Sequence, residues 1–351
     1  MKHKRVPLGD VATLINGRAY KKHEMLRQGK YPLLRVGNFF TNQEWYYSDL
    51  ELDEHKYCDN GDLLYAWSAS FGPRIWEGSK TIYHYHIWKV LIDFEKIDKN
   101  FLFFVLANDV ESIKTEQTNG STMAHVTKGN MEKRHIPLPS LKEQRRIAGI
   151  LSTWEKSINA YDRLIALKET EFSAVLKDLF STKSTTRKHL SQLCKIRTGK
   201  KDVNSTSEGG EYPFFSCAKK ILSTNCFEFD CEAILIAGNG EVGHSKYYNG
   251  KFDAYQRTYV LSDFSELPPR YIFAYIKTFF ETHCLNEKQT SAMSYIKLGT
   301  LKDYEIPVLS EQQHLMVTSL FDGYEKLLSN LRYKRDLLKK QKQGLMQQLL
   351  A

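Results

Sequence analysis

The chain has 351 residues, enough for two domains with separate cores, and its 42% apolar and 13% aromatic residues are typical of a globular rather than a disordered protein. Its 50 lysines and arginines against 41 acidic residues give a formal charge of +9, which favours a polyanionic partner. The six cysteines lie at irregular spacings without a C-x-x-C pair, which predicts free thiols and argues against a zinc site or a disulfide framework.

The N-terminal segment MKHKRVPLGD lacks the apolar region of a secretory signal. No run of the sequence approaches the ~18 apolar residues that a membrane span needs. The sequence therefore predicts a soluble, cytoplasmic protein that makes no membrane contact.

An internal repeat organises the chain. A shift of 170 residues aligns FLFFVL (101–106) with YIFAYI (271–276), and STMAHVTKGNMEKRHIPLP (121–139) with SAMSYIKLGTLKDYEIPVL (291–309). A shift of 182 pairs the beginnings of the two copies, matching Leu8, Val11, Leu14 and Gly17 with Leu190, Leu193, Ile196 and Gly199. A repeat of this length is domain-sized, so it indicates duplication with pseudo-two-fold symmetry rather than a solenoid.

The first part of each copy, residues 1–138 and 183–308, predicts a mixed α/β domain. It is rich in aromatic residues and glycine and contains short strand-like runs such as GDLLYAW and RTYVL. One helix is predicted in each, near 101–117 and 271–285.

The second part of each copy, residues 139–182 and 309–351, predicts a long helix with apolar residues at 4-3 spacing. The apolar seam of the first helix is Ile147, Leu151, Trp154, Ile158, Tyr161, Ile165, Phe172, Val175 and Leu179. The seam of the second helix is Val317, Phe321, Tyr324, Leu328, Leu331, Leu338, Leu345 and Leu349. The polar interruptions are Lys168, Arg335 and Lys342, which are available to fix the register.

A seam of this length favours pairing of the two helices as a coiled coil. The alternative is that each helix packs on its own domain. The connection from Ser181 to Lys188 is too short to return along a helix of ~40 residues and ~60 Å, so we expect an antiparallel pair with the domains at opposite ends, as in a dumbbell.

The stretch AILIAGNGEVG (233–243) carries the G-x-G-x-x-G spacing of dinucleotide-binding folds at Gly238, Gly240 and Gly243. That motif requires a following helix, whose N-terminus holds the phosphate. Here β-forming tyrosines follow, together with a hairpin-turn pattern at Asn249-Gly250. The stretch is therefore interpreted as a flexible, glycine-rich loop between strands.

No catalytic equipment is evident. The sequence has no G-x-x-x-x-G-K-[ST] phosphate loop, and ELPPR (266–270) is not the Asn/Asp-Pro-Pro-Tyr/Phe motif of adenine methyltransferases. His84 and His86 could share one face of a strand, but no further ligand lies at a useful spacing, so packing against a ligand or a core is favoured over a metal site.

These features together resemble the DNA specificity subunits of type I restriction-modification systems. The residues that carry the resemblance are IPLPSLKEQRRIAGILSTWEKSI, EIPVLSEQQ, KKQKQGLMQQLL, WSASFGPRIW and AILIAGNGEVG, and they cover essentially the whole chain. One departure is that Glu311-Gln312 lies two positions earlier in its repeat than Glu143-Gln144, which affects the start of the second helix.

The resemblance implies two target recognition domains, each reading one half of a bipartite double-stranded DNA site. It also implies spacer helices that dock two methyltransferase subunits, with restriction subunits joining the assembly. The chain itself would be the non-catalytic part of an adenine-N6 methyltransferase and endonuclease complex. S-adenosylmethionine would bind the methyltransferase, ATP and Mg²⁺ the restriction subunit, and no cofactor or metal this chain.

Base reading requires polar side chains on loops that can enter a groove, and phosphate contacts require basic groups or backbone amides. The base-reading candidates are Arg35, Asn38, Ser68, Ser70, Arg74 and His84 in the first domain, and Asn239, Glu241, His244, Lys246, Gln256 and Arg257 in the second. The phosphate-contact candidates are Arg18, Lys21, Lys22, Lys200 and Lys201, which follow matching glycines.

Two other functions compete with this one. A stand-alone DNA-binding protein would use the same domains, but it would not need so long a seam. A coiled-coil adaptor without restriction-modification partners would not need two basic, aromatic-rich domains.

Overall fold

The computed structural model describes residues 3–40, 42–68, 70–117, 126–181, 186–288 and 295–351. Parts of the aligned segments 121–139 and 291–309, and of the connection from Ser181 to Lys188, lie outside these residues. The chain divides into two compact units, residues 1–162 with 334–351, and residues 163–333. Each unit contains one mixed α/β domain and parts of both long helices, which confirms the predicted fold class.

Within its described residues, the first domain has ten strands and three α-helices and leads into a long helix. Its strands are β1 (Arg5–Pro7), β2 (Ala12–Asn16), β3 (Tyr31–Leu34), β4 (Tyr46–Ser48), β5 (Tyr57–Cys58), β6 (Leu63–Ser68), β7 (Ser70–Ile75), β8 (Thr81–Tyr83), β9 (Ile87–Ile92) and β10 (His135–Pro137). Its helices are α1 (Val36–Phe40), α2 (Lys99–Gln117) and α3 (Lys128–Glu132), and the long helix is α4 (Leu141–Ser181).

The second domain repeats this order with fewer strands. Its strands are β11 (Arg187–His189), β12 (Lys195–Thr198), β13 (Tyr212–Phe215), β14 (Leu222–Thr224), β15 (Phe229–Ala237), β16 (Ser245–Ala254), β17 (Thr258–Ser262) and β18 (Glu305–Pro307). Its helices are α5 (Leu190–Leu193), α6 (Pro269–Lys288) and α7 (Leu298–Lys302), and the second long helix is α8 (Glu311–Leu349).

The sheets show how the two copies differ. The first domain has two four-stranded sheets, in the orders β2-β9-β6-β7 and β4-β3-β8-β5, whereas the second has one six-stranded sheet, β12-β17-β15-β16-β13-β14. In the second domain β16 pairs with β15 along one part and runs parallel to β13 at its end. In the first domain the corresponding strand is interrupted into β7 and β8. This interruption, together with β5, gives the first copy its greater length.

The predicted hairpin turn at Asn249-Gly250 is wrong. Both residues lie inside β16, where they pair with Glu232 and Cys231 of β15. Gly250 has φ +131°, a conformation that side-chain-bearing residues rarely adopt, so this glycine serves the shape of a continuous strand rather than a turn. The turn between β15 and β16 lies instead at residues 238–244.

Both long helices begin at equivalent positions, despite the displaced Glu-Gln pair. Ser140 accepts a hydrogen bond from the Glu143 N–H, and Ser310 caps α8 by exchanging hydrogen bonds with Gln313. The buried Gln144 amide then bonds to the backbone of the preceding segment, donating to the Lys96 and Pro139 carbonyls (3.0 and 2.8 Å) and accepting from the Asp98 N–H (2.7 Å).

Within the first unit, the start of α4 and the end of α8 run antiparallel. Glu155 pairs with Lys342, and Asp162 pairs with Arg335 at 3.2 Å, so later residues of α4 meet earlier residues of α8. The predicted polar seam residues Arg335 and Lys342 therefore make ion pairs between the helices. The apolar residues of the same helix segments lie in the core of the first domain.

Within the second unit, the end of α4 and the start of α8 also run antiparallel. Phe172 stacks on Tyr324 with ring centroids 4.5 Å apart and also contacts Phe321. Arg332 pairs with Glu169 at 2.5 Å. Lys168, the third predicted polar seam residue, pairs with Glu171 on its own helix and not across the seam. Predicted pairing of the helices is thus confirmed in both units.

The predicted seam shifts by one residue at the end of each helix. Leu176 and Phe180 are buried where Val175 and Leu179 were expected, and Met346 and Leu350 are buried where Leu345 and Leu349 were expected. An α-helix with 3.6 residues per turn drifts from a strict heptad unless the pair supercoils. Here each helix end packs on a domain core as well as on the other helix, so the domain determines which face is buried.

Among the described residues, no helix combines the length and the apolar character that a membrane crossing requires.

Gly17 lies where two backbone segments of the first domain approach closely. A Cβ at this position would lie 2.1 Å from the Tyr83 carbonyl oxygen, whereas a Cβ at Gly149, on an exposed face of α4, would meet nothing within 4 Å. We expect Gly17→Ala to destabilise the first unit by ~1–3 kcal/mol and the control Gly149→Ala to stabilise it by up to ~1 kcal/mol. Urea unfolding followed by tryptophan fluorescence measures this unit alone, because every tryptophan lies within residues 1–162. Equal effects of the two substitutions would contradict the close approach.

Candidate nucleic-acid interface

Four segments of the second domain meet at one end of its large sheet. The Gly199 N–H donates to the Thr258 carbonyl at 3.2 Å, and the Gln256 N–H donates to the Lys201 carbonyl at 2.9 Å. The Gly238 N–H donates to the Arg257 carbonyl at 2.9 Å. These bonds bring together the segments 199–201, 238–244 and 255–257. The fourth segment, around Ala218, is joined by the Lys246 ammonium, which donates to the Ala218 carbonyl at 2.6 Å.

The glycine-rich loop lies between β15 and β16, and no helix follows it, so its interpretation as a loop between strands is confirmed. Its glycines are required by the backbone geometry of the turn. A Cβ at Gly238 would lie 2.5 Å from the Arg257 carbonyl oxygen, and Gly240 and Gly243 have φ of +62° and +83°. The turn is closed by hydrogen bonds from the Ala237 N–H to the His244 carbonyl and from the Gly243 N–H to the Ala237 carbonyl. The glycines therefore hold a defined turn.

The predicted side chains of the second domain fall into two groups. Gln256 and Arg257 are exposed, and among the described residues neither side chain has a hydrogen bond or an ion pair. The others are tied to neighbours or half-buried. Lys200 pairs with Glu228, Lys201 pairs with the buried Asp253 at 2.6 Å, Glu241 lies 3.6 Å from Lys219, and Asn239 is half-buried beside Gly238.

Burial also lowers the pKa of two basic side chains at this end of the sheet. It lowers the pKa of His244, with the nearby Lys246 charge adding to the effect. Burial likewise lowers the pKa of Lys246 itself. The Lys201 ammonium lowers the pKa of the exposed Cys226 thiol, whose sulfur lies 2.6 Å from it.

In the first domain, the three predicted arginines all have partners. Arg18 forms a bidentate pair with Glu24 (2.7 and 3.1 Å), which holds the pKa of that carboxyl well below its usual range. The Arg35 guanidinium lies 4.5 Å from the centre of the Tyr46 ring. Arg74 donates to the Phe39 carbonyl at 2.6 Å.

The remaining polar candidates of the first domain differ in exposure. Asn38 is only 7% exposed and donates its amide to the Asn42 and Glu44 carbonyls, so it shapes the loop that follows α1. Ser68 is buried and Ser70 is exposed, at the ends of the paired strands β6 and β7. Lys21 and Lys22 are exposed at a 3₁₀ turn, as phosphate contacts would require.

His84 and His86 do not share a strand face as predicted, because they flank a turn between β8 and β9. Their ring centroids lie 4.8 Å apart, with Tyr85 between them and 37% exposed. Burial, the His86 ring and the Arg35 charge, in that order, lower the pKa of His84 to about 4, so His84 is neutral at pH 7. Among the described residues, no group of three or more metal-ligating side chains is gathered.

Sequence reasoning missed the aromatic neighbours of this turn. Trp67 donates its indole N–H to the Tyr85 carbonyl at 2.9 Å, and its ring lies 5.0 Å from that of His86. The sequence YHYHIW is rich in aromatic residues, which is the signal in the sequence for this cluster of rings. Lys219 was also missed, because only its contact with Glu241 places it at the site.

The duplicated domains, each ending in loops that carry basic side chains, match a known family at both copies. Residues 2–169 and 183–334 match the family described as the type I restriction modification DNA specificity domain. These two matches cover most of the chain, which belongs to this family.

Individual relatives resemble parts of the chain. It is 33% identical over 133 residues to the type I restriction enzyme EcoDI specificity subunit of Escherichia coli, covering 38% of this chain and 29% of that protein. It is 32% identical over 123 residues to the MjaVIII specificity subunit of Methanocaldococcus jannaschii, covering 35% of this chain and 29% of that protein. The matched segment thus spans under a third of either relative.

Two solved structures resemble the fold along nearly the whole chain. A type I restriction-modification S subunit from M. genitalium aligns with a TM-score of 0.64 at 15% identity, covering 100% of this chain and 96% of that one. A chain from a structure describing complex assembly and conformational transition of the type I R-M system aligns with a TM-score of 0.54 at 17% identity, covering 99% and 97%. At these identities the likeness concerns the fold.

The lowered pKa of His84 predicts a pH effect. Because the pKa of about 4 in the folded chain lies below the ordinary value of 6.5, the unfolded chain takes up a proton first as the pH falls. Stability from this group is therefore complete above about pH 6.5 and is lost as the pH falls towards 4. A histidine NMR titration, with the signal assigned by its loss in His84→Gln, should find a midpoint near pH 4 and a higher midpoint in Arg35→Gln. A His84 signal that titrates near 6.5 would contradict the buried environment.

Proposed function

We propose that this chain is the DNA-recognition subunit of a type I restriction-modification complex, in which each domain reads one half of a bipartite double-stranded target. The observation that carries the proposal is the match of both copies to the specificity-domain family. The net charge of +9 suits a polyanionic partner. The basic side chains at the sheet end of each domain lie beside exposed polar residues such as Gln256 and Arg257, as combined phosphate and base contacts require.

The second part of the proposal concerns partners. Two methyltransferase subunits dock on the outer faces of α4 and α8, and restriction subunits join the assembly. S-adenosylmethionine binds the methyltransferase, and ATP and Mg²⁺ bind the restriction subunit. This chain contributes recognition, and the complex methylates adenine at N6 or cleaves DNA. Exposed apolar side chains on both helices, including Leu167, Leu315 and Leu327, support docking on these faces.

The stand-alone DNA-binding protein remains the second candidate. It accounts for the basic loop ends equally well, but it gives no role to the exposed leucines of the long helices. The coiled-coil adaptor gives no role to the basic loop ends.

Mapping of N6-methyladenine in the genome tests the proposal. Cells that carry the chain should show methylation at one asymmetric, two-part sequence, and deletion of its gene should remove all methylation of that sequence. Complementation with the intact chain is the control. The purified chain alone should neither bind S-adenosylmethionine nor methylate DNA. Binding of S-adenosylmethionine by the isolated chain, or an unchanged methylome in the deletion strain, would refute the proposal.

In this proposal the helix pair is a spacer between the two recognition domains. The length of the helices can be changed by insertion, which tests that role. Because the helices are antiparallel, a heptad must be inserted in both, after Lys168 in α4 and after Ser329 in α8, near the Glu169–Arg332 pair. Seven residues add ~10 Å and preserve the phase of the seam. At ~3.4 Å per base pair, the unread gap should lengthen by up to about three base pairs, with both half-sites unchanged.

The matched control is the same heptad in α4 alone. It moves the partners of α8 out of register, so we expect methylation to be lost rather than redirected. An active double-insertion variant that keeps the original gap in methylome sequencing would show that the helices are not the spacer.

A further inference from the structure

The turn at residues 84–86 of the first domain is held by backbone hydrogen bonds from four directions. The His84 N–H donates to the Leu34 carbonyl (2.9 Å), and the Tyr85 N–H donates to the Arg18 carbonyl (3.0 Å). The His84 carbonyl accepts from Ile87 (2.9 Å), and the His86 carbonyl accepts from the Trp67 N–H (3.1 Å). These main-chain bonds define the path of the turn, and the His86 N–H adds a hydrogen bond to the His84 Nδ1 at 3.4 Å.

The turn at residues 255–257 of the second domain has the same set of bonds. The Tyr255 N–H donates to the Phe215 carbonyl (2.9 Å), and the Gln256 N–H to the Lys201 carbonyl (2.9 Å). The Tyr255 carbonyl accepts from Thr258 (2.8 Å), and the Arg257 carbonyl from the Gly238 N–H (2.9 Å). Even the flanking parallel strand pairs match, since β3 pairs with β8 and β13 with β16 immediately before each turn.

The side chains on this common frame are entirely different. The first turn carries His84, Tyr85 and His86, whose rings pack on one another and on Trp67. The second turn carries Tyr255, Gln256 and Arg257, of which the last two are exposed. The main-chain path is the same in both turns and only the side chains differ. The two domains therefore differ in the side chains that these turns expose.

Basic residues next to each turn are suited to contact DNA phosphates. The N–H of the middle residue of each turn donates to the carbonyl of a basic residue, which is Arg18 in the first domain and Lys201 in the second. Lys21 and Lys22 follow the first of these residues, and Lys200 precedes the second, so each turn lies beside a basic segment suited to phosphates. Phosphate contacts position a reader, and adjacent side chains at base edges specify the sequence.

We propose that the turns 84–86 and 255–257 are the matched base-reading elements of the two domains, and that their side chains determine which bases each half-site requires. This inference rests on the proposed function. It assigns the difference between the two half-sites to three residues in each domain. Arg257 suits the O6 and N7 acceptors of guanine, and Gln256 suits N6 and N7 of adenine. The aromatic edge of Tyr85 suits contact with the methyl group of thymine.

Exchange of the turns is the test. The variant H84Y/Y85Q/H86R places the second turn's side chains on the first frame, and Y255H/Q256Y/R257H does the reverse. Expressed in the deletion strain and followed by mapping of N6-methyladenine, the first exchange should change bases of the first half-site only and introduce a guanine requirement. The reverse exchange should change the second half-site only. The gap should stay the same in both.

The control is F94A/E95Q, which alters two exposed residues at the opposite end of β9 and should leave the site unchanged. Single variants Tyr85→Ala and Arg257→Ala guard against misfolding of the triple exchanges, because both side chains are exposed. Each should relax one position of its own half-site by roughly 10- to 100-fold in relative DNA binding.

The outcomes separate the inference from the function on which it rests. If the exchanges and both single variants methylate the original sequence with the original discrimination, the turns are not the readers, although the function stands. If Arg257→Ala weakens binding equally on every sequence, Arg257 is a phosphate contact and the assignment of the second turn is overturned. If the intact chain directs no methylation, the proposed function itself fails.

Discussion

Each domain of this protein depends on apolar residues that come from the far end of the other copy's helix. In the first unit, Met346 of α8 and Leu350, which directly follows α8, are buried in the same core as Leu8 and Phe101. In the second unit, Phe180 of α4 packs against the rings of Tyr271, Tyr275 and Phe279. The helices are therefore parts of both cores as well as of their own seam. Both domain cores rely on this exchange of helix ends.

Ion pairs add orientation to this packing. Lys342 with Glu155 and Arg335 with Asp162 are interhelical pairs at partly exposed positions, where such contacts contribute little free energy. Their value lies in register, because a shift of one heptad would leave each cation facing the wrong partner. Stability comes from the apolar seam and from the domain cores, and the alignment of the helices comes from these charges.

The broad fold could be predicted from the sequence because a duplication and a heptad seam are long-range patterns that local detail does not erase. The details failed where tertiary packing overrides a local pattern. Asn249-Gly250 is a strong hairpin pattern, yet β15 offers enough partners to keep the strand continuous. The ends of the seam moved by one residue because the domain core, absent from any heptad analysis, selects the buried face.

The equivalence of the two turns was less predictable, because it involves a register difference of one residue. A shift of 170 residues places Tyr85 against Tyr255, which looks like a good match. The hydrogen bonds instead make His84 equivalent to Tyr255, a shift of 171. Arg257 and Gln256 were predicted because their residue types suit base reading. The positions of Tyr85 and Trp67 beside the equivalent turn become evident only from the main-chain hydrogen bonds. Asn38, chosen for its residue type, has its amide committed to a loop.

The exchange of helix ends has a consequence for how the protein is made. Residues 334–351, which belong to the first unit, leave the ribosome after all of the second domain has been synthesised. The core of the first domain is complete only after Met346 and Leu350 have been synthesised, because both belong to the same apolar cluster as Phe101. A chain stopped early thus retains an exposed apolar surface, which chaperones and proteases recognise. Because of this order, the core of the first domain is completed last, after the second domain has been synthesised.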